Sequence, residues 1–170
     1  GVQVMFYVSP QVWAWKSWRV KDYGAIAAMM AVIFPFEVPI YQAHGIPVRY
    51  VGHPLANKVK ATLSRDLALA EFGLSNKSPV VGLLPGSRRG EIKRLLPVLL
   101  QAAALLVQRI PGVQFVFPQA STIKDEILAP YLAHSPLPIT VVRGRAYDVL
   151  QCCDAVATCS GTATLETALM

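Results

Sequence analysis

The 170-residue sequence lacks several features that would place it in a common class of protein. It has three cysteines, Cys152, Cys153 and Cys159, whose spacing matches no zinc site and whose odd number indicates reduced thiols in a cytosolic protein. No apolar run reaches the roughly 18 residues that a membrane-spanning helix requires. The closest, residues 25–34, is followed by Pro35. The sequence therefore predicts neither a disulfide framework nor a transmembrane helix.

Acidic residues are also scarce. The sequence has 10 Asp and Glu against 16 Lys and Arg, which gives a formal net charge of +6. No Asp-x-Asp pair is present and the three histidines are scattered, so we expect no metal site and no bound cofactor. The basic excess suits an anionic partner, such as nucleotide phosphates or a membrane surface. Basic and aromatic residues interleave only at residues 13–19, which is too little to indicate nucleic-acid binding.

The pattern from Pro79 onward predicts a regular α/β unit. Short apolar runs alternate with segments of helical periodicity across tight turns, as in a parallel, doubly wound sheet. The predicted elements are strand 80–84, helix 91–109 with a kink or fresh start at Pro97, strand 113–118, helix 122–132, strand 139–142, helix 146–152, strand 155–158 and a final helix. Ligands of such sheets bind at the carboxyl ends of the strands.

Residues 1–50 predict a separate unit, with a strand at 2–8, an aromatic loop and a helix at about 20–30. Residues 51–57 are predicted to be a hinge between that unit and residues 58–170. The fold class is therefore α/β, with parts of two Rossmann-like, doubly wound domains. The chain begins in an apolar stretch and ends inside a predicted helix, so we expect a piece of a longer protein.

The turn Leu83-Leu84-Pro85-Gly86-Ser87-Arg88-Arg89-Gly90-Glu91 joins the first of the regular strands to its helix. Gly86 lets the backbone approach a ligand, and the free N–H groups of the helix start attract anions. Arg88 offers a bidentate clamp for phosphate oxygens. The spacing fits neither a Walker loop nor a GxGxxG dinucleotide site. The alternative is an ordinary turn in which Ser87 caps the helix and the arginines are solvated.

A second turn, Cys159-Ser160-Gly161-Thr162-Ala163-Thr164-Leu165-Glu166, follows the last predicted strand. Ser160, Thr162 and Thr164 offer hydroxyl groups and backbone donors. Glu166 lies about one turn into the new helix, where its carboxylate suits the vicinal hydroxyls of a ribose. The alternative is a capping box that pairs Thr162 with Glu166, although the spacing is one residue longer than usual.

The first unit contributes further candidates. Its loop over residues 9–16 begins with Ser9 and carries Trp13 and Trp15, which either stack on a sugar or acyl chain or pack as a corner between domains. His53 is either a packing residue of the predicted hinge or a cleft residue that reaches the ligand.

Taken together, these segments resemble the lipid-A-disaccharide synthases, glycosyltransferases of the GT-B type with two Rossmann-like domains. Four segments carry the resemblance in the family's order and span nearly all of the chain: residues 9–15, 52–55, 83–92 and 160–166. The resemblance implies an inverting transfer of 2,3-diacylglucosamine from UDP to 2,3-diacylglucosamine 1-phosphate, which forms the lipid A disaccharide 1-phosphate and UDP.

The resemblance also implies roles for individual residues. Arg88 stabilises charge on the UDP leaving group, and Ser9, Trp13, Trp15 and His53 are acceptor or cleft candidates. The implied UDP-binding residues are Gly86, Ser87, Arg88, Glu91, Ser160, Gly161, Thr162, Thr164 and Glu166. The site needs no metal in this family, because the helix dipole and basic residues replace a divalent cation. Residues 1–50 belong to the acceptor-side domain, and residues 58–170 bind the donor.

Two family features are missing from this sequence. The family opens its first domain with a Gly-Glu-x-Ser-Gly-Asp segment, and a later aspartate is assigned as the general base; neither occurs here. We therefore expect this piece alone to be catalytically inactive. For the full-length protein the resemblance implies peripheral contact with the cytoplasmic face of the inner membrane of a Gram-negative type bacterium, and it allows a homodimer.

The sequence is also compatible with two other functions. One is a different UDP-GlcNAc-dependent GT-B transferase or epimerase, against which the Trp-Ala-Trp loop argues. The other belongs to a different class, a non-catalytic, membrane-associated nucleotide-binding module that uses its basic surface.

Overall fold

The computed structural model describes residues 1–170, which form two compact units, Gly1–Lys58 and Val59–Met170. In the first unit, three parallel strands pair in the order β1-β2-β3. Its elements are β1 (Met5–Tyr7), α1 (Val20–Ile26), β2 (Met29–Val32), α2 (Glu37–Gln42) and β3 (Val48–Tyr50), with a 3₁₀ turn at Ser17–Arg19 before α1. Its core is a cluster that includes Val20, Met30 and Tyr41.

The central strand of this unit corrects the sequence prediction. A helix was expected over residues 20–30, but α1 ends at Ile26 and β2 begins at Met29. Ala27 already has extended backbone angles, φ −89° and ψ 124°. The apolar run contains no Gly or Pro at the transition, so periodicity alone does not locate it. This segment forms a strand because it pairs with strands on both sides and completely buries Met30.

The second unit alternates helices and strands along the chain. Its elements are α3 (Arg65–Glu71), β4 (Val80–Leu84), α4 (Arg89–Arg109), β5 (Gln114–Gln119), α5 (Asp125–Ala133), β6 (Ile139–Arg143), α6 (Ala146–Cys152), β7 (Ala155–Thr158) and α7 (Thr162–Leu169). The predicted bounds of β4, α6 and β7 are confirmed residue for residue. The prediction of parallel, Rossmann-like α/β units is confirmed as well. Helix α3 lies where the sequence pattern predicted no element.

The sheet of the second unit has the order β6-β5-β4-β7, and all pairs are parallel. The chain therefore runs outward from β4 through β5 to β6 and then returns to β7 on the other side of β4. This reversal is a topological switch point, where the loops after two neighbouring strands diverge and leave a crevice. The fold thus creates a crevice at the carboxyl ends of β4 and β7.

Two layers of helices cover this sheet. On β5, Phe115 and Phe117 pack in the cluster that contains residues of α4 and α5, whereas Val116 packs with residues of α3 and α6. This alternation follows from the two-residue period of a strand. The sheet is consequently buried on both faces, as parallel sheets usually are.

Helix α4 is a single helix of 21 residues with Pro97 inside it, so the alternative of a fresh start at that proline is wrong. Its buried positions also differ from the prediction. Leu100 and Ala103 are buried as expected, but Leu95 is 37% exposed and the buried stripe continues through other residues of the first turns, Ile92 and Leu96. No helix of the chain has both the length and the apolar character needed to cross a bilayer.

Candidate nucleotide site

The two turns singled out in the sequence start side by side. Leu84 and Thr158 are paired in the register of β4 and β7, and the N–H of Cys159 donates to the carbonyl of Leu84 at 2.9 Å. Both strands therefore end at the same edge of the sheet. The loops that follow are therefore neighbours, although the paired residues Leu84 and Thr158 lie 74 positions apart in the chain.

Between these loops lies a groove of about 460 Å³, here called the β4–β7 groove, which the residues after β4, β5, β6 and β7 line. Eight of the nine predicted UDP-binding residues line it: Gly86, Ser87, Arg88, Glu91, Ser160, Gly161, Thr162 and Glu166. The ninth, Thr164, does not. Its hydroxyl donates to the carbonyl of Gly161 at 2.5 Å, so it stabilises the first turn of α7.

The loop after β4 is organised by Glu91, whose side chain folds back toward the loop. Oε2 accepts hydrogen bonds from the backbone N–H groups of Ser87 at 3.0 Å and Arg88 at 3.1 Å. Oε1 accepts from Nη1 of Arg88 at 2.8 Å. The Arg88 guanidinium and the two backbone donors together lower the pKa of the Glu91 carboxyl group below its usual value. The N-cap residue of α4 is therefore Arg88, whose backbone N–H is bound by the side chain of Glu91, whereas the sequence offered Ser87 as the cap.

The loop after β7 leads into α7, whose first backbone N–H groups have no partner within the helix. Gly161, Thr162 and Ala163 all line the groove at this point. Glu166, one turn further, accepts a hydrogen bond at 3.0 Å from the hydroxyl of Tyr147. The structure does not form the capping box between Thr162 and Glu166. Instead, Tyr147 of α6 holds the carboxylate of Glu166.

Sequence reasoning missed Tyr147 and the loops after β5 and β6. Gln119 at the end of β5 lines the groove, as do Ser121 and Gly144 in the loops after β5 and β6. The hydroxyl of Thr122 donates to the carbonyl of Ser87 at 2.7 Å and so joins the loop after β5 to the loop after β4. The rule that ligands bind at the carboxyl ends of parallel strands would have included these loops. Tyr147 gives no such signal, because it lies within a helix.

The charges of the groove come from few groups. Arg88 is the basic side chain that lines it, and Glu91 and Glu166 are the acidic ones. In the wall of the groove, the buried side-chain amide of Gln119 donates to Oδ1 of Asp125 at 2.7 Å. Nowhere in the chain do three or more His, Cys, Asp or Glu side chains converge in a way that could hold a metal ion. The groove therefore offers one guanidinium and backbone N–H groups to an anion.

The cysteines differ in their surroundings, and none forms a disulfide. Cys159 lines the groove. Cys152 is fully buried in the core, and its thiol donates to the carbonyl of Asp148 at 3.2 Å. Burial raises the pKa of the Cys153 thiol to about 12. Cys152 belongs to the core cluster that includes residues of α3 and α6, and Cys153 packs against that cluster.

In the first unit, aromatic contacts connect two of the candidate residues. The ring of Trp13 meets that of Phe36 edge-on at 5.0 Å, Phe36 stacks on Phe34 at 5.4 Å, and Phe34 contacts His53 at 5.5 Å. Nδ1 of His53 accepts the backbone N–H of Leu55 at 3.1 Å, so Nε2 is the nitrogen left free for a ligand. The structure thus brings Trp13 and His53 into one aromatic row.

The other two candidates of this unit lie outside that row. Ser9 is buried, and its hydroxyl donates to Oε1 of Glu37 at 3.2 Å. Glu37 also accepts the backbone N–H groups of Ile33 and Phe34, so Ser9 belongs to a buried polar cluster. Trp15 is 74% exposed, with Nζ of Lys16 at 4.3 Å from its ring centroid.

The chain matches known proteins over its whole length. The profile of the lipid-A-disaccharide synthetase family covers residues 1–170. Relatives called lipid-A-disaccharide synthase are 57% identical in Geobacter metallireducens, 56% in Geobacter sulfurreducens and 51% in Nitrosococcus oceani, each over 170 residues and all of this chain. The chain spans 44% of the length of each of these relatives. With the family profile matched from end to end and identities above one half, the chain belongs to the lipid-A-disaccharide synthetase family.

Proposed function

We propose that this chain contains the UDP-binding part of a glycosyltransferase of lipid A biosynthesis. The reaction is the transfer of 2,3-diacylglucosamine from UDP to 2,3-diacylglucosamine 1-phosphate with inversion, which yields the disaccharide 1-phosphate and UDP. One observation carries the proposal: the β4–β7 groove gathers both sequence motifs at a topological switch point. Its volume lies within the range of about 300–1,000 Å³ that is common for ligand pockets.

The groove suits the nucleotide diphosphate in two ways. Arg88 and the free N–H groups at the start of α7 provide positive potential for phosphate oxygens. Glu166 lies one helical turn away, and its Oε1 is engaged by Tyr147. Oε2 of Glu166 is then available to accept hydrogen bonds from ribose hydroxyls. We therefore assign the phosphates to Arg88 and residues 160–163, and the ribose to Glu166.

The chemical role of these residues is to stabilise the leaving group. In an inverting transfer the acceptor hydroxyl attacks the anomeric carbon from the side opposite to UDP, and negative charge grows on the departing diphosphate. Donors that are held in place before the reaction stabilise such charge, typically by about 3–4 kcal/mol for each donor in a site closed to water. We assign this role to Arg88. No general base is assigned within the groove, because Glu91 is bound to the loop after β4 and Glu166 is assigned to the ribose.

The first unit is proposed to serve the acceptor. The aromatic row that links Trp13 to His53 offers ring faces and edges to a sugar or to acyl chains. Because both substrates carry acyl chains, we also propose peripheral contact with the cytoplasmic face of the inner membrane. Residues 1–50 then belong to the acceptor side and residues 58–170 to the donor side.

Amide NMR titration of the chain tests the donor site. We expect UDP to shift resonances of residues 86–91 and 160–166, and uridine to bind more weakly because it lacks the diphosphate. Arg88→Ala should weaken UDP binding about tenfold or more, in line with loss of a charge-assisted hydrogen bond. Arg89→Ala is the matched control, since this neighbour is exposed and does not line the groove.

Two results would count against the proposal. The first is absence of UDP binding to the wild-type chain. The second is binding to anionic vesicles that survives Arg88→Ala while UDP has no effect, as the membrane-associated binding module requires. The transfer reaction itself is tested with the full-length protein, and we expect the 170-residue chain alone to show no transfer.

A further inference from the structure

Glu91 uses both of its carboxylate oxygens within the loop it follows. Oε2 accepts two backbone N–H groups, of Ser87 and Arg88, and Oε1 accepts one N–H of the Arg88 guanidinium. These three donors are the ones that a phosphate would be expected to use at a glycine-containing turn. In this structure they are already satisfied by a side chain of the same segment.

Gly86 is fitted to this carboxylate. Its φ of +117° lies in the region that favours glycine. A Cβ placed on Gly86 would lie 2.8 Å from Cβ and 2.9 Å from Cδ of Glu91, and closer still to Oε2. Such distances do not occur between packed atoms, so a side chain at position 86 and the folded-back Glu91 exclude each other. The close approach that requires glycine here is made by Glu91.

What the loop still presents to the groove is then limited. The side chain of Arg88 is 82% exposed, with only one of its five N–H donors bound to Glu91. Ser87 is also exposed and lines the groove, while its carbonyl is held by Thr122. The hydroxyl of Ser87 and the remaining guanidinium donors are therefore the groups through which this loop contacts a ligand.

A negative charge at this place would repel a diphosphate if it acted as a direct ligand. A carboxylate also lacks donors for phosphate oxygens. Its contribution to an anion site must accordingly come through the groups it holds. An ion pair at 2.8 Å restricts the long Arg88 side chain, which otherwise loses rotamer freedom when a ligand binds.

We propose that Glu91 is a positioning residue of the nucleotide site: it closes the loop over Gly86 and orients Arg88 toward the diphosphate, without touching the donor itself. This inference rests on the proposed UDP-binding function of the groove. Glu91, which the sequence suggested as a ligand contact, is then the residue that holds Arg88 in place for its contact with the ligand. Coupling between Glu91 and Arg88 in diphosphate binding is its direct consequence.

A double-mutant cycle measures this coupling. UDP and uridine are titrated into the wild-type chain and into chains carrying Glu91→Gln, Arg88→Ala or both. We expect Glu91→Gln to weaken UDP binding about tenfold in the wild-type background and less than about threefold in the Arg88→Ala background. Uridine binding should change by less than about twofold, because uridine has no phosphate for Arg88 to bind. Glu91→Asp, which keeps the charge but shortens the side chain, should give an intermediate loss and serves as the second variant if Glu91→Gln unfolds.

Three outcomes would overturn the inference. Tighter UDP binding in Glu91→Gln would mean that the carboxylate merely occupies the phosphate position. Equal losses in both backgrounds would remove the coupling to Arg88, and equal losses for UDP and uridine would reveal a general structural role.

Failure of the proposed function gives a different pattern, in which the wild-type chain binds no UDP. The contacts of Glu91 are then still tested without ligand by the amide resonances of Ser87 and Arg88. These should move in Glu91→Gln, and unchanged resonances would refute the proposed role of Glu91 in the loop.

Discussion

The hydroxyl of Tyr147 donates a hydrogen bond of 3.0 Å to Oε1 of Glu166, which lies 19 positions further along the chain. Burial, and then the hydrogen bond to this carboxylate, raise the pKa of Tyr147 above its usual value, so the phenol stays a donor at all physiological pH values. Helix α6 thereby fixes a side chain of α7 at the groove. Tyr147 is thus a supporting residue for the proposed ribose contact.

Removal of the Tyr147 hydroxyl tests whether Tyr147 holds Glu166 in place. Tyr147→Phe should weaken UDP binding about three- to tenfold, because one hydrogen bond to a charged acceptor is lost and Glu166 gains freedom. Binding of 2′-deoxy-UDP, which lacks one of the two ribose hydroxyls, should respond less. Isothermal titration calorimetry with both nucleotides provides the comparison. Tyr131→Phe, in α5 and not among the residues that line the groove, is the control. An equal response of both nucleotides to Tyr147→Phe would contradict the assignment of Glu166 to the ribose.

A second prediction concerns two glycines of one turn. Gly86→Ala should lower the free energy of unfolding by about 1–3 kcal/mol, because alanine strains a positive φ and its Cβ collides with Glu91. Gly90→Ala, four residues later in the first turn of α4, meets no atom within 4 Å and should raise it by up to about 1 kcal/mol. Urea unfolding of the two variants and the wild type measures the difference. Similar effects of both substitutions would contradict the packing of Glu91 on Gly86.

A third prediction follows from the buried carboxylate of Asp148. Burial raises its pKa, but hydrogen bonds from Leu63, Thr62 and Arg145 outweigh this and lower it to about 2. Because the pKa of Asp148 is lower in the folded protein than its usual value of 3.8, the ionised carboxylate stabilises the fold at pH values above 3.8. This stabilisation is lost as the pH falls toward 2. The free energy of unfolding should therefore decrease by about 2 kcal/mol over that window.

The variant Asp148→Asn isolates this effect. It should destabilise the second unit at neutral pH by about 2–4 kcal/mol, since Arg145 loses a buried partner, and it should flatten the decrease below pH 4. Urea titrations at several pH values, followed by amide resonances of residues 59–170, give both quantities. Asp66→Asn, an exposed position in the first turn of α3, serves as the control. If Asp148→Asn keeps the full decrease in the free energy of unfolding at low pH, groups other than Asp148 cause that decrease.

A fourth prediction uses the different environments of the thiols. Iodoacetamide at pH 8 should alkylate Cys159 and leave Cys153 unmodified, because a pKa of about 12 leaves about one thiol in ten thousand ionised. Because Cys159 lines the groove, UDP should slow its alkylation. Peptide mass spectrometry with and without UDP reads out both effects, with Cys159→Ser as the blank. Alkylation of Cys153 at a rate similar to that of Cys159 would contradict the buried environment described here.

The agreement between sequence and structure differs between the two units for a physical reason. In the second unit, β4 is a short apolar run between Pro79 and Pro85, and β7 lies between Asp154 and the segment Cys159-Ser160-Gly161, so the ends of both strands are visible in the pattern. In the first unit, the change from α1 to β2 falls within one apolar run, where helix and strand bury equally apolar side chains. There, the pairing of β2 with β1 and β3 selects the strand over the helix. That pairing depends on residues distant in the sequence.

The candidate site divides in a similar way. The two turns, their residue types and the family resemblance are local in sequence, and the sequence alone predicted them. That Tyr147 reaches Glu166, and that Thr122 reaches Ser87, required the folded chain. Gly86 was interpreted from sequence as space for a ligand, whereas the structure fills that space with the carboxylate of Glu91.

Local sequence therefore predicts the order of strands and helices from β4 onward, the two turns that follow β4 and β7, and the family. Each depends on hydrophobic period, turn residues or short motifs, which act over a few residues. Which of these residues meet depends on the folded chain. The order β6-β5-β4-β7 places distant turns side by side, and side-chain direction turns Glu91 back onto the loop after β4 and brings Glu166 to Tyr147. Both depend on packing across the sheet, where contacts are set by the whole unit.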